Sequence, residues 1–434
     1  MKSEKSLFLG FRANKGILPI AFLLFLCSCG SRKSVKYPYN GPINIKENTK
    51  VELSTPVVVS DGVTPVTWKD TIQARLDSLC QLPLFETTQL GLYVFDLTEK
   101  QPLYALNAAQ RMRPASIEKL ITSISCLHYL GGDYNFKTDI RVKGTIANGT
   151  LQGDVYIVGG MDPLLSPSDL NTMAKALRSA GINSITGNIY TDLSMKDDLP
   201  YGWGWCWDDD YGPLSALMVN AKDDFNSEWN RALTKAGVKR SRVGVRQQQA
   251  PADSRSVVCI THTIDEILEP ILKNSHNIFA ECLFYQLAAY SGQKNAGRKQ
   301  AAKLIYDLIE ELGLDPAPYQ IADGSGLSLY NYVSPELLVC LLNYAFSKPE
   351  IYQHLYPALP IAGVDGTLSN RMQDTPAYNN VRAKTGTVTG ISSLAGYLTT
   401  RNGHVLSFCI INQGVSPGSL GRDFQNEVCN ALCQ

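Results

Sequence analysis

A serine and a lysine three residues apart give the first chemical signal in this sequence. Residues 116–119 read SIEK and lie near the start of a stretch of helical periodicity over 113–130. This stretch has a proline at its start and glycine after its end. On a helix, residues three apart share a face, so the amine of Lys119 can approach the hydroxyl of Ser116. A serine activated by a neighbouring base is a nucleophile for acyl transfer. A second tetrad of this form, at 291–294, lies in a polar glycine-containing loop where nothing fixes that geometry.

Two further short motifs follow in the chain. Residues 275–277 read SHN, the only SxN in the sequence, and lie between two helical runs. Residues 384–387 read KTGT and precede an apolar strand-like run. On a strand edge, Gly386 permits close approach of a substrate backbone, while Lys384 and the two threonine hydroxyls suit a carboxylate.

Other common chemistries lack their usual residues. The sequence contains no HExxH, no paired CxxC, no Walker loop and no GxGxxG, and only five histidines, so we expect no metal and no nucleotide cofactor. A GxSxG at 414–418 lies between a predicted strand and a predicted helix, the context of a nucleophile elbow. That mechanism needs a histidine further along the chain, and none follows Ser416.

Composition excludes several classes of protein. The 434 residues carry 40 Lys and Arg against 40 Asp and Glu, so the chain lacks the positive excess of a nucleic-acid-binding protein. A hydrophobic content of 44% at this length predicts a globular chain of two or three domains. Eleven cysteines are too sparse for a disulfide scaffold.

The N-terminus has the pattern of an export signal. Four basic residues precede an apolar run over 17–26, which as a helix reaches about 15 Å, half of a bilayer core. The run ends in Leu26-Cys27-Ser28-Cys29, which resembles a bacterial lipobox with Ser28 just before the cysteine that becomes lipidated. Cys27 is the weaker candidate because Leu26 is too large for that preceding position, and an ordinary signal with an incidental cysteine is the alternative. We expect a lipoprotein on Cys29, exported to the periplasm-facing surface of a membrane.

The order SxxK, SxN, KTG resembles the signature of penicillin-binding proteins and serine β-lactamases. Residues 113–116 (RPAS), 323–328 (DGSGLS), 383–387 (AKTGT) and 392–397 (SSLAGY) are further similar to the class C low-molecular-mass penicillin-binding proteins, the D-Ala-D-Ala carboxypeptidase/endopeptidase family. The resemblance covers roughly residue 92 to the C-terminus. The family usually has SDN where this chain has His276, a position that carries neither the hydroxyl nor the amide.

This resemblance implies an α+β fold: a penicillin-binding/β-lactamase-like transpeptidase domain, with an antiparallel sheet flanked by helices, and an inserted β-rich domain. The boundaries we predict are 1–28 for the signal peptide and 29–70 for a tether rich in Ser, Pro, Asn and Lys. The transpeptidase-like domain then occupies 71–134 and 259–434. Short strand-like pieces with Gly and Asp turns place the insertion at 135–258.

The resemblance also implies roles for the motif residues. Ser116 forms an acyl-enzyme with the peptide stem of peptidoglycan and with β-lactams, which act as covalent inhibitors. Lys119 takes the serine proton if its amine is neutral, which a nearby cation such as Lys384 favours. Ser275 relays a proton to the departing amine and Asn277 holds Lys119. The substrate carboxylate is bound by Lys384, Thr385, Gly386 and Thr387, and the oxyanion lies between the backbone N–H groups of Ser116 and Thr387.

An aromatic segment at 203–211 is similar to the family segment that recognises the free amine end of the stem's diamino acid. Asp208 is the predicted acid, with Trp205 and Tyr211 beside it; aromatics that pack an inserted β unit are the alternative. The turn at 323–326 is read as structural.

Two other functions remain open at this point. A serine β-lactamase on the same scaffold needs a group that activates water, and no Glu-x-x-Leu-Asn run lies between Ser275 and Lys384. A non-catalytic lipoprotein with a penicillin-binding fold need not retain its nucleophile, whereas all the motif residues are present.

Overall fold

A computed structural model describes residues 67–209, 211–222, 224–242 and 244–434. The predicted signal peptide, Cys29 and most of the tether lie outside these residues. The strands, in chain order, are β1 (Gln89–Asp96), β2 (Gln101–Leu106), β3 (Asn135–Ala147), β4 (Thr150–Val158), β5 (Ser184–Ile185), β6 (Ile189–Asp192), β7 (Lys239–Arg240), β8 (Val245–Gln247), β9 (Arg255–Thr263), β10 (Arg382–Val388), β11 (Ile391–Thr399) and β12 (Val405–Gln413). The α-helices are α1 (Trp68–Cys80), α2 (Glu118–Leu130), α3 (Pro167–Ser179), α4 (Phe225–Ala236), α5 (Ile264–Lys273), α6 (Asn277–Tyr290), α7 (Arg298–Glu311), α8 (Pro335–Ser347), α9 (Pro349–Ala358) and α10 (Gly418–Leu432).

The first sheet has the order β10-β11-β12-β1-β2, and every neighbouring pair is antiparallel. One face packs against a core built mainly from α2 and α5 to α9. The other face packs against α1 and α10. The predicted antiparallel sheet flanked by helices is therefore confirmed, and β10, which carries the KTGT motif, is an edge strand.

The second sheet takes its strands from the chain between β2 and β10. Strands β4, β3 and β9 are antiparallel neighbours, whereas β5, β6, β7 and β8 join in parallel. Helices α3 and α4 pack against it in a separate core. The strands of this sheet begin at Asn135 and end at Thr263, five residues beyond the predicted end of the insertion at 258.

Two predicted helices differ from the structure in ways that affect the site. The helix expected over 113–130 begins as a 3₁₀ turn at Ala115–Ile117, and the α-helix proper starts at Glu118. The helical periodicity over 263–290 is divided into α5 and α6, and the break falls at the SHN motif, where Ser275 adopts a left-handed backbone conformation with φ of 61°. Both irregular points carry motif residues.

Among the residues that the structure describes, no helix combines the length and the apolar character needed to cross a membrane.

Candidate active site

The predicted nucleophile and base are in contact. Ser116 lies in the 3₁₀ turn and Lys119 in the first turn of α2, which brings Nζ of Lys119 to 3.0 Å from Oγ of Ser116. The amine also donates to Oδ1 of Asn277 and to the carbonyl oxygen of Ser325, both at 2.6 Å. Three contacts from three separate parts of the chain therefore fix the amine beside the hydroxyl.

The environment of Lys119 favours a neutral amine near physiological pH. Its side chain is fully buried, and burial lowers its pKa from 10.5 to about 7, against the opposing effect of the carboxyl groups of Asp323, Glu281 and Glu118. The sequence had suggested Lys384 as the cause of a neutral Lys119. The structure instead makes burial the largest cause, because a charged ammonium loses its hydration in the interior.

Two carboxyl groups close to Lys119 are themselves buried. Burial raises the pKa of Glu281 to about 8 and that of Glu118 well above its ordinary value, and the charge of Asp323 raises both further. Neither carboxyl oxygen of Glu118 has a hydrogen-bond partner among the residues that the structure describes. Both glutamates favour their uncharged forms at neutral pH, which weakens their opposing effect on the pKa of Lys119.

The KTGT strand lies directly against the turn that carries Ser116. A Cβ built on Gly386 would be 2.1 Å from Oγ of Ser393 on β11, 2.8 Å from the carbonyl oxygen of Pro114 and 3.0 Å from the backbone nitrogen of Ser116. Ser393 of β11 strengthens this contact by donating to the same Pro114 oxygen at 2.6 Å. Gly386 therefore leaves no room for a side chain between β10, Ser393 and the turn that carries Ser116. The predicted role of this glycine in the approach of a substrate stays a prediction.

We expect Gly386→Ala to lower the rate constant for acylation by penicillin about 100-fold, because the added methyl group pushes β10 away from Ser116 and misplaces the reacting groups. Stopped-flow or mass-spectrometric measurement of acylation tests this. Gly418→Ala is the matched control, since the nearest atom to its Cβ is the end of the Arg422 side chain at 3.6 Å. Equal rates for Gly386→Ala and the unaltered protein would contradict the assigned packing role.

Lys384 lies inside the same site. Its side chain is fully buried, and burial, followed by the positive charge of Lys119, lowers its pKa well below the ordinary value. Nζ of Lys384 donates to the carbonyl oxygen of Thr385 at 2.7 Å. The hydroxyl of Thr385 is held by Thr367 at 2.8 Å, and Thr387 is exposed on the strand edge.

The SxN motif reaches the site through its asparagine. Asn277 is the first residue of α6, and its amide accepts from Lys119 and donates to the hydroxyl of Tyr211 at 2.8 Å. Ser275 lies two residues earlier at the break between α5 and α6 and is half-buried. Its hydroxyl forms no hydrogen bond with the residues that the structure describes.

A loop that the sequence assigned to structure supplies one of the three contacts to Lys119. The carbonyl oxygen of Ser325 accepts from the amine, and Thr122 of α2 donates to the neighbouring carbonyl of Gly324 at 2.8 Å. The buried carboxylate of Asp323 shapes this loop by accepting from the backbone N–H of Gly326 and Ser328 and from the Asn331 amide. A main-chain carbonyl can belong to any residue type, so only the DGSGLS resemblance hinted at this contact.

The aromatic segment is tied to the site at two points. Nε1 of Trp205 donates to Oδ2 of Asp323 at 3.0 Å, and Tyr211 accepts from Asn277. Asp208 is exposed on the same loop, and its neighbour Asp209 instead accepts from the backbone N–H of Cys206. The structure thus brings Trp205 and Tyr211 to the motif residues, whereas Asp208 faces solvent.

Elsewhere in the described chain, Asp96, Glu99 and His404 have ligand atoms within 4.8 Å of one another. Oδ1 of Asp96 already accepts from the backbone N–H of Thr98 and Glu99, and Oδ2 is 2.8 Å from Nδ1 of His404. Glu99 pairs with Lys69. We interpret these interactions as structural polar contacts that join the end of β1 to the residue just before β12.

The model of the D-Ala-D-Ala carboxypeptidase 3 (S13) family matches residues 72–223 and 212–432. The D-alanyl-D-alanine carboxypeptidase of Actinomadura sp. (strain R39) is 28% identical over 80% of this chain and 81% of its own length. The crystal structure of penicillin binding protein 4 from Haemophilus influenzae superposes with a TM-score of 0.74, at 23% identity, over 82% of this chain and 98% of that one. A predatory endopeptidase from Bdellovibrio bacteriovorus shares the fold at a TM-score of 0.53 and 18% identity, over 77% and 89% of the two chains.

Proposed function

The chain belongs to the D-Ala-D-Ala carboxypeptidase 3 (S13) family, and on that premise we propose that it is a serine-type D-Ala-D-Ala carboxypeptidase that is acylated by penicillin. Its substrates are the stem peptides of peptidoglycan. One observation carries the proposal: a buried lysine amine lies 3.0 Å from the hydroxyl of Ser116, on a turn packed against the KTGT strand. The relative from Actinomadura, named a D-alanyl-D-alanine carboxypeptidase, supports the reaction type.

The proposed reaction begins with attack of Oγ of Ser116 on the carbonyl carbon of the penultimate D-Ala. The neutral amine of Lys119 accepts the hydroxyl proton as the bond forms. The peptide C–N bond then breaks, and Ser275 relays the proton held by Lys119 to the departing amine of the terminal D-Ala, which returns Lys119 to its neutral form. Water hydrolyses the serine ester and releases the shortened stem. Asn277 keeps Lys119 in place throughout.

Substrate binding falls to the KTGT strand. We assign the oxyanion to the backbone N–H groups of Ser116 and Thr387, a pairing supported by the contact of Gly386 with the Ser116 turn. Lys384, Thr385 and Thr387 receive the terminal carboxylate. An arriving carboxylate favours the protonated amine of Lys384, whose pKa is held low by burial and by the positive charge of Lys119.

Cleavage of a cross-bridge peptide bond between two stems proceeds through the same kind of acyl-enzyme. We therefore propose endopeptidase cleavage as a second reaction of this site. The substrate carboxylate pocket does not separate the two, because a cross-linked stem can also present a free carboxylate beside the bond that is cut.

The test is incubation of the purified protein with a disaccharide pentapeptide, followed by measurement of released D-Ala. We expect release, inhibition by penicillin, and a penicillin adduct that survives for minutes rather than turning over within seconds, since no water-activating glutamate motif is present. Absence of D-Ala release and of cross-bridge cleavage by a folded protein would favour the non-catalytic alternative. Rapid turnover of the adduct would favour the β-lactamase.

We also propose that the mature chain begins at a lipidated Cys29 on the periplasm-facing surface of a membrane. The lipobox-like sequence before Cys29 supports this proposal. In cells supplied with an alkyne fatty acid, we expect label on the unaltered protein and on Cys27→Ala, and none on Cys29→Ala. Retention of label in Cys29→Ala would contradict the assignment.

A further inference from the structure

Exposed aromatic side chains are concentrated in one loop beside the active site. We call residues 200–214 the tryptophan loop; the backbone N–H of Leu214 donates to the carbonyl of Pro200 at 2.7 Å and closes its base. Tyr201, Trp203 and Trp207 of this loop are exposed, and Trp207 retains 96% of its accessible surface. Large apolar side chains this exposed mark binding surfaces when they cluster.

Three residues of the loop are held by contacts with other parts of the chain. Trp205 and Tyr211 bond to Asp323 and Asn277, as described above. The ring of Trp203 packs on Tyr330, with centroids 5.0 Å apart, and the guanidinium of Arg298 lies 4.3 Å from the centre of the Trp203 ring. These contacts place the Trp203 and Tyr330 rings before a ligand binds, which lowers the entropic cost of binding.

The charge of the loop distinguishes between ligands. Residues 199–212 contain three aspartates and no lysine or arginine. Anionic lipid headgroups are attracted by basic residues, so this composition opposes a membrane surface. It also opposes a second copy of the same loop, because like charges would then face each other.

Sugar rings are compatible with both the exposed aromatic side chains and the negative charge of this loop. A hexosamine presents a C–H face that packs on indole and phenol rings, and its hydroxyls are compatible with the acidic character of the loop. In peptidoglycan the sugars lie four stem residues from the cleaved bond, roughly 14 Å or more in an extended chain. Tyr211 of the same loop contacts Asn277 of the site, which places the loop beside the path of the stem.

We propose that Tyr201, Trp203, Trp207 and Tyr330 form a subsite for the N-acetylhexosamine rings of the glycan strand that carries the stem peptide. The inference rests on the proposed function, since it presumes a stem peptide in the active site. The subsite makes the enzyme prefer glycan-linked stems over free peptides.

The test compares kcat/KM for a disaccharide pentapeptide with kcat/KM for the same pentapeptide lacking sugars. We expect the unaltered protein to prefer the disaccharide substrate, and Trp207→Ala to reduce that preference about tenfold, the effect of losing one good aromatic contact. Tyr290→Ala is the matched control: it removes another exposed aromatic at the far end of α6 from Asn277, about 20 Å along the helix. It should leave the preference unchanged.

Each other outcome has a defined meaning. If the unaltered protein hydrolyses neither substrate, the proposed function fails and not the subsite alone. If it hydrolyses both equally well, or if Trp207→Ala and Tyr290→Ala behave alike, the subsite is overturned. Binding to phosphatidylglycerol vesicles, or dimer formation in sedimentation, that disappears in Trp207→Ala would also overturn it.

Discussion

Replacement of Ser116 by alanine should abolish both the penicillin adduct and D-Ala release, with kcat falling at least about 10⁴-fold. The hydroxyl lies 3.0 Å from a buried amine whose pKa is about 7, which is the pairing that makes a serine nucleophilic. Mass spectrometry of the intact protein after treatment with penicillin measures the adduct. A colorimetric assay of D-Ala measures turnover.

The chain provides two matched controls for this prediction. Ser291 begins the second SxxK tetrad, but it follows the last residue of α6, with its lysine in a loop. Ser416 is the central residue of the GxSxG. We expect Ser291→Ala and Ser416→Ala to form the adduct at the rate of the unaltered protein. A mass increase that persists in Ser116→Ala would remove Ser116 as the nucleophile.

The sequence could predict the parts of the site that depend on short spacing. Ser116 and Lys119 are three residues apart at a helix start, and their contact follows from helical geometry. The KTGT motif could be assigned to a strand because alternating apolar residues follow it. The hairpin of β1 and β2 and the closing helix α10 carry equally local patterns, and the structure contains all of them.

What the sequence could not predict depends on contacts between distant segments. The carbonyl of Ser325 reaches Lys119 from 206 residues away, and no residue type is required to supply a carbonyl. The low pKa of Lys119 comes from complete burial, which the alternation of polar and apolar residues in α2 does not reveal. Glu118 is an example: a carboxyl group next to a lysine in the sequence suggests an ion pair, whereas both of its oxygens are buried and have no hydrogen-bond partner in the described part of the chain.

The break between α5 and α6 shows how local preference was overridden. Apolar residues keep their helical spacing over 263–290, so the sequence alone does not fix the conformation of the SHN motif between the two helical runs. In the structure Ser275 takes a left-handed conformation that a serine rarely adopts, and the turn directs Asn277 at Lys119. Backbone strain at such positions persists when the surrounding structure fixes it, and here the fixed point carries the SxN motif.

The rate constant for acylation by penicillin should fall about tenfold for each pH unit below about 7, because Lys119 can accept the serine proton only when its amine is neutral. Burial has lowered the pKa of this amine from 10.5 to about 7, so the neutral form predominates above that value and is lost as the pH falls through it. The part of the pH–rate profile in which the rate rises with pH is its acidic limb. With an ordinary exposed lysine as the base, this limb would lie more than three pH units higher. Measurement from about pH 5 to about pH 9 covers both the limb and the plateau.

Lys119→Arg tests whether this limb belongs to Lys119. A guanidinium cannot be deprotonated in this range, so we expect acylation to fall by about 10²- to 10⁴-fold at neutral pH and the limb near pH 7 to disappear. Lys294→Arg, in the second tetrad, should leave both the rate and the limb in place. If Lys119→Arg retained a limb near pH 7 at an undiminished rate, another group would have to be the base. Burial of the Lys119 amine would then serve only to pack the start of α2 against Asn277 and the Ser325 loop.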